Sequence, residues 1–182
     1  MASAAGGGAP GFPGRPLLFL DVDGPLIPFG AAAEQLPGGH DPLFGTQSAD
    51  DSANPLLARL DPALGAGLAA LPCELVWATT WMDEANDSIA PLLGLPRLPV
   101  LDEPDAQAED GPGRAAPHWK VPAMVAWAAG RPFVWVDDEI RDVDRTWVRA
   151  HHTGPSLLHR VDARLGLTAQ DFAALGDWLR RL

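Results

Sequence analysis

LLFLDVDGPLIPF, residues 17–29, brings a run of four large apolar residues directly up to two aspartates and a glycine. The apolar run has the length of a strand and no alternation with polar residues, which is typical of a strand buried on both faces of a parallel sheet. Asp21 and Asp23 follow it, and side chains two positions apart on an extended chain lie on the same side. Two like charges there indicate either an accidental place at the surface or a positively charged group between them.

Two further apolar runs end in polar residues, CELVWATT (73–80) and RPFVWVDD (131–138), and a shorter run, SLLHRVD, follows at 156–162. Segments with helical spacing of apolar residues lie between and after these runs, at 54–71, 82–95, 118–130, 139–151 and 166–182, the last with Thr168 as its expected N-cap. Alternating strands and helices predict an α/β fold with a three-layer, doubly wound and mostly parallel sheet. We expect a flexible tail over 1–15 and a single domain over 16–182.

The composition excludes several classes of protein. A chain of 182 residues with 47% hydrophobic content can form one domain with a substantial core. Its net charge of −11 argues against the broad basic face that holds nucleic acid, although one phosphate could still bind locally. The one cysteine, Cys73, excludes an internal disulfide, and no apolar run reaches the ~20 residues that cross a bilayer. With no signal-peptide pattern, we expect a cytoplasmic protein without a membrane partner, and the acidic charge weighs against a nucleic-acid partner.

Polar residues stand where the predicted strands end. In chain order they are Asp21 and Asp23, Thr79 and Thr80, then Lys120 at the start of a helix, and finally Asp137 and Asp138. Lys120 is the one lysine of the chain. Because ligands of open α/β sheets bind outside the carboxyl ends of the strands, we expect these side chains to form one site.

This order of residues resembles that of the haloacid dehalogenase-like (HAD) phosphatases. Their four motifs are an Asp-x-Asp after the first strand, a Ser or Thr after the second, a Lys before the next, and an acidic pair after the one following. The resemblance covers roughly residues 16–150 and implies a Rossmann-like HAD fold. Asp-x-Asp-Gly alone is a modest signal, whereas four motifs in order at strand ends are a specific one.

The two aspartates of the first motif suit a phosphomonoester hydrolase. Asp21 is placed to attack phosphorus and form an aspartyl-phosphate, and Asp23 can protonate the leaving oxygen and later activate water. An unscreened carboxylate repels a phosphate dianion, so both roles need a metal, and Mg²⁺ prefers such oxygen ligands. By resemblance, Asp21 and the main-chain carbonyl of Asp23 bind the metal, with Asp137 as third ligand and Asp138 assisting.

The resemblance also implies that Thr79 hydrogen-bonds a phosphoryl oxygen, that Lys120 neutralises charge in the transition state, and that Gly24 and Thr80 contact substrate. Some alternatives stay open. Thr79 is preferred to Thr80 as the hydroxyl of the second motif because the buried run ends there, and Asp142 could replace Asp138 in the acidic pair. Trp81 and Trp119 flank proposed site residues and could line the pocket, although tryptophan is more often a core residue.

The segments in which HAD proteins carry caps are short here. Residues 27–53 and 102–117 are rich in small, turn-forming or acidic residues. One departure from the family pattern is Pro25, where many HAD proteins carry Thr or Val. Proline lacks an N–H group and fixes the backbone, so it affects the geometry of the loop after the two aspartates. We therefore expect little or no cap and an open site for a phosphorylated substrate, which could be large or macromolecular. The alternatives are a receiver-like signalling module phosphorylated on aspartate, and a non-catalytic phosphate-binding protein of the same fold.

Overall fold

The fold is built on one parallel sheet. The computed structural model describes residues 14–30, 55–102 and 116–182. In this part of the chain, four strands lie in the order β2-β1-β3-β4 and all pair in parallel. Their bounds are Leu17–Leu20 (β1), Glu74–Trp77 (β2), Phe133–Asp137 (β3) and Ser156–Arg160 (β4). The predicted α/β fold is confirmed, including its fourth strand.

Helices connect and follow the strands. The α-helices are Ala63–Ala69 (α1), Ala90–Leu93 (α2), Lys120–Ala128 (α3), Asp142–His151 (α4) and Ala169–Arg180 (α5). A 3₁₀-helix at Pro55–Arg59 precedes α1, and a π-helix at Ala85–Ile89 runs directly into α2. The prediction of one helix over 54–71 is therefore wrong. Pro62 lacks an N–H group and disfavours helical backbone at Asp61, so the helix starts again only at Ala63.

The sheet is covered on both faces, which makes the fold three-layered as predicted. Leu18 and Leu20 of β1 belong to a core that includes residues of α1, α2 and α5, namely Leu68, Leu93 and Leu175. Leu17 and Phe19 belong to a second core that includes Val121, Met124 and Val148 of α3 and α4. All four residues of β1 are fully buried, because successive side chains of a strand alternate between two apolar layers.

The start of α5 follows the sequence prediction in detail. The Thr168 hydroxyl accepts a hydrogen bond from the Asp171 N–H, and the Asp171 carboxylate accepts one from the Thr168 N–H at 2.8 Å. This reciprocal pair is a capping box, which satisfies N–H groups that have no partner inside the helix. Thr168 is thus confirmed as the N-cap.

Several predictions fall on residues outside the described ranges. The tail over 1–15 and the loops 27–53 and 102–117 lie there in large part, so the flexibility of the tail, the absence of a folded cap and the single-domain organisation stay predictions. Within the described residues, no helix has the length and apolar character needed to cross a membrane.

The buried side-chain amide of Asn86 joins the π-helix to the edge strand β2. Asn86 Oδ1 accepts hydrogen bonds from Trp77 Nε1 at 3.1 Å and from the Leu98 N–H at 2.8 Å. Its Nδ2 donates to the Leu98 carbonyl at 2.9 Å. Asn86 is 4% exposed, so its loss would leave buried donors without partners.

We predict that Asn86→Ala lowers the free energy of unfolding by about 2–4 kcal/mol, because the Trp77 indole and the Leu98 amide would stay buried and unpaired. For a chain of this size, the midpoint of thermal unfolding should fall by about 5–15 °C. Ser88→Ala, on the same π-helix but with a surface hydrogen bond to Glu84, is the matched control and should change stability by less than about 0.5 kcal/mol. Equal midpoints for Asn86→Ala and the wild type would contradict this role.

Candidate active site

The two central strands bring two aspartates side by side. Asp21 follows β1 directly, and Asp137 is the last residue of β3. In the register of these strands Leu20 pairs with Val136, and the Asp21 N–H donates to the Val136 carbonyl at 3.1 Å. Both carboxylates therefore lie at the carboxyl edge of the sheet, where ligands of this architecture bind.

The single lysine lies between these carboxylates. Lys120, the first residue of α3, places its Nζ 2.8 Å from Asp21 Oδ2 and 2.7 Å from Asp137 Oδ2. Its side chain is 3% exposed, and a buried ammonium group is tolerated only when it is paired. Lys120 is therefore a buried member of the site and not a solvated surface residue.

Asp137 is held from several sides. It is fully buried, and its Oδ2 also accepts a hydrogen bond from Trp135 Nε1 at 3.1 Å, while its Oδ1 accepts one from the Glu139 N–H at 2.8 Å. Sequence reasoning missed the role of Trp135. The signal was present, because Trp135 lies two residues before Asp137 on the same face of β3.

A third carboxylate completes a candidate metal site. Among the described residues, Asp21, Asp137 and Asp138 each offer one oxygen, and these oxygens lie within 4.8 Å of one another. Asp142 lies in the first turn of α4 and is outside this group, so the geometry favours Asp138 as the second acid of the pair. The carboxylate of Asp23 is also outside the group, as expected if Asp23 contributes its main-chain carbonyl.

The charges of this group are out of balance. Burial raises the pKa of Asp21 to about 7, with Lys120 opposing the shift and Asp137 adding to it. Burial, followed by the charge of Asp137, also raises the pKa of Asp138. The pKa of Lys120 is raised, because the two carboxylates outweigh the effect of burial. When all of them are ionised, the three carboxylates and the ammonium group carry an excess of two negative charges, which a divalent cation would neutralise. Mg²⁺ suits this all-oxygen set of ligands.

Gly24 lies against the acidic pair. Its φ is +84°, and a Cβ built on it would stand 2.3 Å from Asp138 Oδ1. The backbone of the first loop therefore approaches Asp138 as closely as only glycine permits. Two hydrogen bonds hold this loop: the Pro25 carbonyl accepts from the Leu167 N–H at 2.8 Å, and the Val22 carbonyl accepts from the Ile27 N–H at 3.0 Å.

The end of β2 places its two threonines differently. Thr79 is fully buried, and its hydroxyl oxygen accepts a long hydrogen bond of 3.4 Å from the Trp81 N–H, whereas Thr80 is exposed. In the described residues, neither hydroxyl hydrogen-bonds to the carboxylate group. Asp23, by contrast, is joined to this segment, because its Oδ2 accepts a hydrogen bond from Trp81 Nε1 at 3.0 Å.

A buried aspartate outside the predicted site supports Lys120. Asp144 is fully buried in α4 and accepts hydrogen bonds from the His118 N–H at 2.5 Å and the Arg141 N–H at 2.8 Å. His118 Nδ1 in turn accepts from the Lys120 N–H at 3.3 Å. These contacts tie the start of α3 to the start of α4. His118 is the first residue of the segment 118–130 that is predicted as a helix, and it lies two residues before the start of α3. Asp144 is not among the predicted site residues.

A parallel α/β sheet with aspartates at the ends of its two central strands and a lysine between them is the arrangement expected of a HAD-like domain. The sequence profile of one HAD family, described as "HAD domain in Swiss Army Knife RNA repair proteins", matches residues 17–172, and the chain belongs to this family. The predicted membership of the HAD superfamily is thereby confirmed. No curated protein and no solved structure matches the chain.

We predict that Asp21→Asn stabilises the metal-free protein at pH 8. The pKa of Asp21 rises from 3.8 to about 7 on folding, so the folded chain holds a proton that the unfolded chain releases. This group therefore destabilises the fold increasingly as the pH rises through that interval. In EDTA, the variant should unfold at a temperature higher by ~3 °C or more at pH 8, with a smaller gain at pH 5.

Excess Mg²⁺ should raise the unfolding temperature of the wild type more than that of Asp21→Asn, since a ligand that binds only the folded state stabilises it. Asp142→Asn, which changes an aspartate outside the carboxylate group, is the control and should keep the wild-type response to Mg²⁺.

The EDTA experiment can also contradict the first of these predictions. A lower unfolding temperature for Asp21→Asn than for the wild type in EDTA at pH 8 would show that the charge of Asp21 does not destabilise the metal-free fold.

Proposed function

We propose that this protein is a magnesium-dependent phosphomonoester hydrolase that works through an aspartyl-phosphate on Asp21. One observation carries the proposal: a buried ammonium group lies between Asp21 and Asp137, with Asp138 in the same group of potential metal ligands. Phosphoryl transfer depends mainly on positioning and on neutralising charge, and this arrangement would supply both. Membership of a HAD family supports a phosphoryl-transfer hydrolase in general.

The reaction would take two displacements. In the first, an oxygen of Asp21 forms a bond to phosphorus as the bond from phosphorus to the leaving oxygen breaks, and Asp23 gives its proton to that oxygen, which releases an alcohol. In the second, a water oxygen attacks the phosphorus of the aspartyl-phosphate while Asp23 takes a proton from that water. Inorganic phosphate leaves, and the carboxylate of Asp21 is restored.

The other site residues would hold the metal, bind the substrate and neutralise negative charge. When bound, Mg²⁺ would neutralise negative charge on the phosphoryl group, and Asp21, Asp137, Asp138 and the main-chain carbonyl of Asp23 would hold it. Lys120 would offset the charge that gathers on the nucleophile and the phosphoryl oxygens. The Thr79 hydroxyl would donate a hydrogen bond to a phosphoryl oxygen. Gly24 and the exposed Thr80 would line the place where substrate enters.

The family description bears on the choice of substrate. It names RNA repair proteins, which favours the phosphate at an RNA end as a substrate to test first. The net charge of −11 weighs against extended binding of a polynucleotide, but recognition of one terminal phosphate needs no broad basic face. A phosphopeptide and a small phosphorylated metabolite are the alternatives, and a receiver-like module would take up phosphate on aspartate without turnover.

We predict that Asp21→Asn abolishes hydrolysis of p-nitrophenyl phosphate with Mg²⁺, because it removes the nucleophile at nearly constant volume.

Lys120→Ala should lower kcat for the same substrate on the order of 10²- to 10³-fold, as expected for loss of one preorganised charge. EDTA should stop turnover and Mg²⁺ should restore it. The control is Arg97→Ala, which removes exposed ion pairs with Asp83 and Asp87 and should keep the wild-type rate.

Three substrates test which phosphate ester the protein hydrolyses: an oligoribonucleotide with a terminal phosphate, a phosphopeptide and a phosphorylated metabolite. Their kcat/KM values are compared. Multiple turnover of any of them supports the hydrolase. A single, stable phosphate label on Asp21 would support the receiver-like module instead, and phosphate binding without label or turnover would indicate a non-catalytic protein. If the oligoribonucleotide is preferred, weak dependence of kcat/KM on salt would agree with recognition of its end alone.

A further inference from the structure

Asp23 has a partner that the sequence motifs did not predict. Its Oδ2 accepts a hydrogen bond of 3.0 Å from the indole Nε1 of Trp81, a residue 58 positions further along the chain. Asp23 lies in the loop after β1, and Trp81 lies four residues after the end of β2, which is the neighbouring strand. The contact therefore joins the proposed acid–base group to the segment that carries Thr79.

The indole is suited to orienting a carboxylate without competing for its proton. Trp Nε1–H is a donor only and does not titrate near neutral pH, so it can hold one oxygen of Asp23 but cannot exchange a proton with it. With Oδ2 engaged by Trp81, the carboxylate keeps Oδ1 for the leaving oxygen and later for water. Within the described residues, no hydrogen bond to Oδ1 competes for that role.

Trp81 is itself held in place by its surroundings. Its ring is partly buried against the core under α1, α2 and α5. Its backbone N–H donates to the Thr79 hydroxyl, and its carbonyl accepts from the Glu84 N–H at 3.0 Å. The next residue, Met82, has φ +48°, a left-handed backbone that non-glycine residues seldom adopt and that persists only where the surrounding structure requires it.

We infer that Trp81 is a positioning residue that orients the carboxyl group of Asp23 toward the leaving oxygen of the substrate. The inference rests on the proposed hydrolase function. The proton moves as described above, from Asp23 to the leaving oxygen while the bond between that oxygen and phosphorus breaks and Asp21 bonds to phosphorus. Trp81 acts only through the angle and place of the Asp23 carboxyl group, to which its indole N–H is hydrogen-bonded.

Trp81→Phe tests this role, because it keeps an aromatic ring and removes the N–H donor. The measurement is kcat/KM for p-nitrophenyl phosphate, whose leaving group needs little protonation, and for phenyl phosphate, whose leaving group needs much more. We expect kcat/KM to fall by about 10- to 100-fold for phenyl phosphate, part of the range that acid catalysis supplies, and by less than about 3-fold for p-nitrophenyl phosphate. An equal loss of kcat/KM on both substrates would overturn the inference. Such a loss would indicate a general disturbance of the site, because it would not depend on how much protonation the leaving group needs.

Two comparisons make the test specific. Trp127→Phe changes an exposed tryptophan of α3 and should leave both kcat/KM values unchanged. In an Asp23→Asn background, adding Trp81→Phe should cause no further loss that depends on the leaving group, because the proton donor is already absent. A further loss of that kind in the double variant would show that Trp81 acts independently of Asp23 and would overturn the inference.

A measurement on folded protein covers the case in which Trp81→Phe does not fold. In the NMR spectrum of the wild type, the assigned indole N–H signal of Trp81 should shift in Asp23→Ala, which removes the acceptor, while the signal of Trp127 stays in place. An unchanged Trp81 signal would mean that the hydrogen bond is not formed in solution. This result does not depend on turnover, whereas absence of turnover by the wild type would count against the hydrolase function alone.

Discussion

The ammonium group of Lys120 is the centre on which this structure depends. A buried cation needs anionic partners at hydrogen-bond distance, and here those partners are the last residue of one central strand and the residue directly after the other. Three elements, β1, β3 and the start of α3, must therefore meet at one point. Removing Lys120 should therefore cost about 3–5 kcal/mol, because the charges of Asp21 and Asp137 would stay buried without compensation.

The same group explains how an acidic chain could bind the phosphorylated substrate that we propose for it. The net charge of the whole chain describes its surface, whereas the site depends on charges at distances of a few ångströms. Lys120 offsets part of the acidic cluster, and the remaining excess of negative charge favours a divalent cation. Once such a cation is bound, the local field at the sheet edge would be more positive than the composition indicates.

The sequence predicted the parts of the fold and site that depend on local order. Uniformly apolar strands, polar residues at their ends and the rule that parallel strands share one carboxyl edge were enough to bring Asp21, Lys120 and Asp137 into a single site. Contacts between side chains far apart in sequence could not be predicted in this way. The indole of Trp81 reaches Asp23, Asn86 joins Trp77 to Leu98, and Asp144 supports the start of α3, each through a packing geometry that no periodicity encodes. The break before α1 was missed because apolar spacing outweighed the local effect of Pro62.

The pairing of Leu20 with Val136 has a chemical consequence as well as a structural one. Successive side chains of a strand point to opposite sides, so a slip of one residue between β1 and β3 would turn the aspartate of β3 away from the lysine and place an apolar side chain there. The alignment of the two central strands is thus itself a component of the candidate active site. Substitutions deep in the sheet, far from any substrate, could abolish chemistry by shifting that alignment while leaving every reactive side chain present.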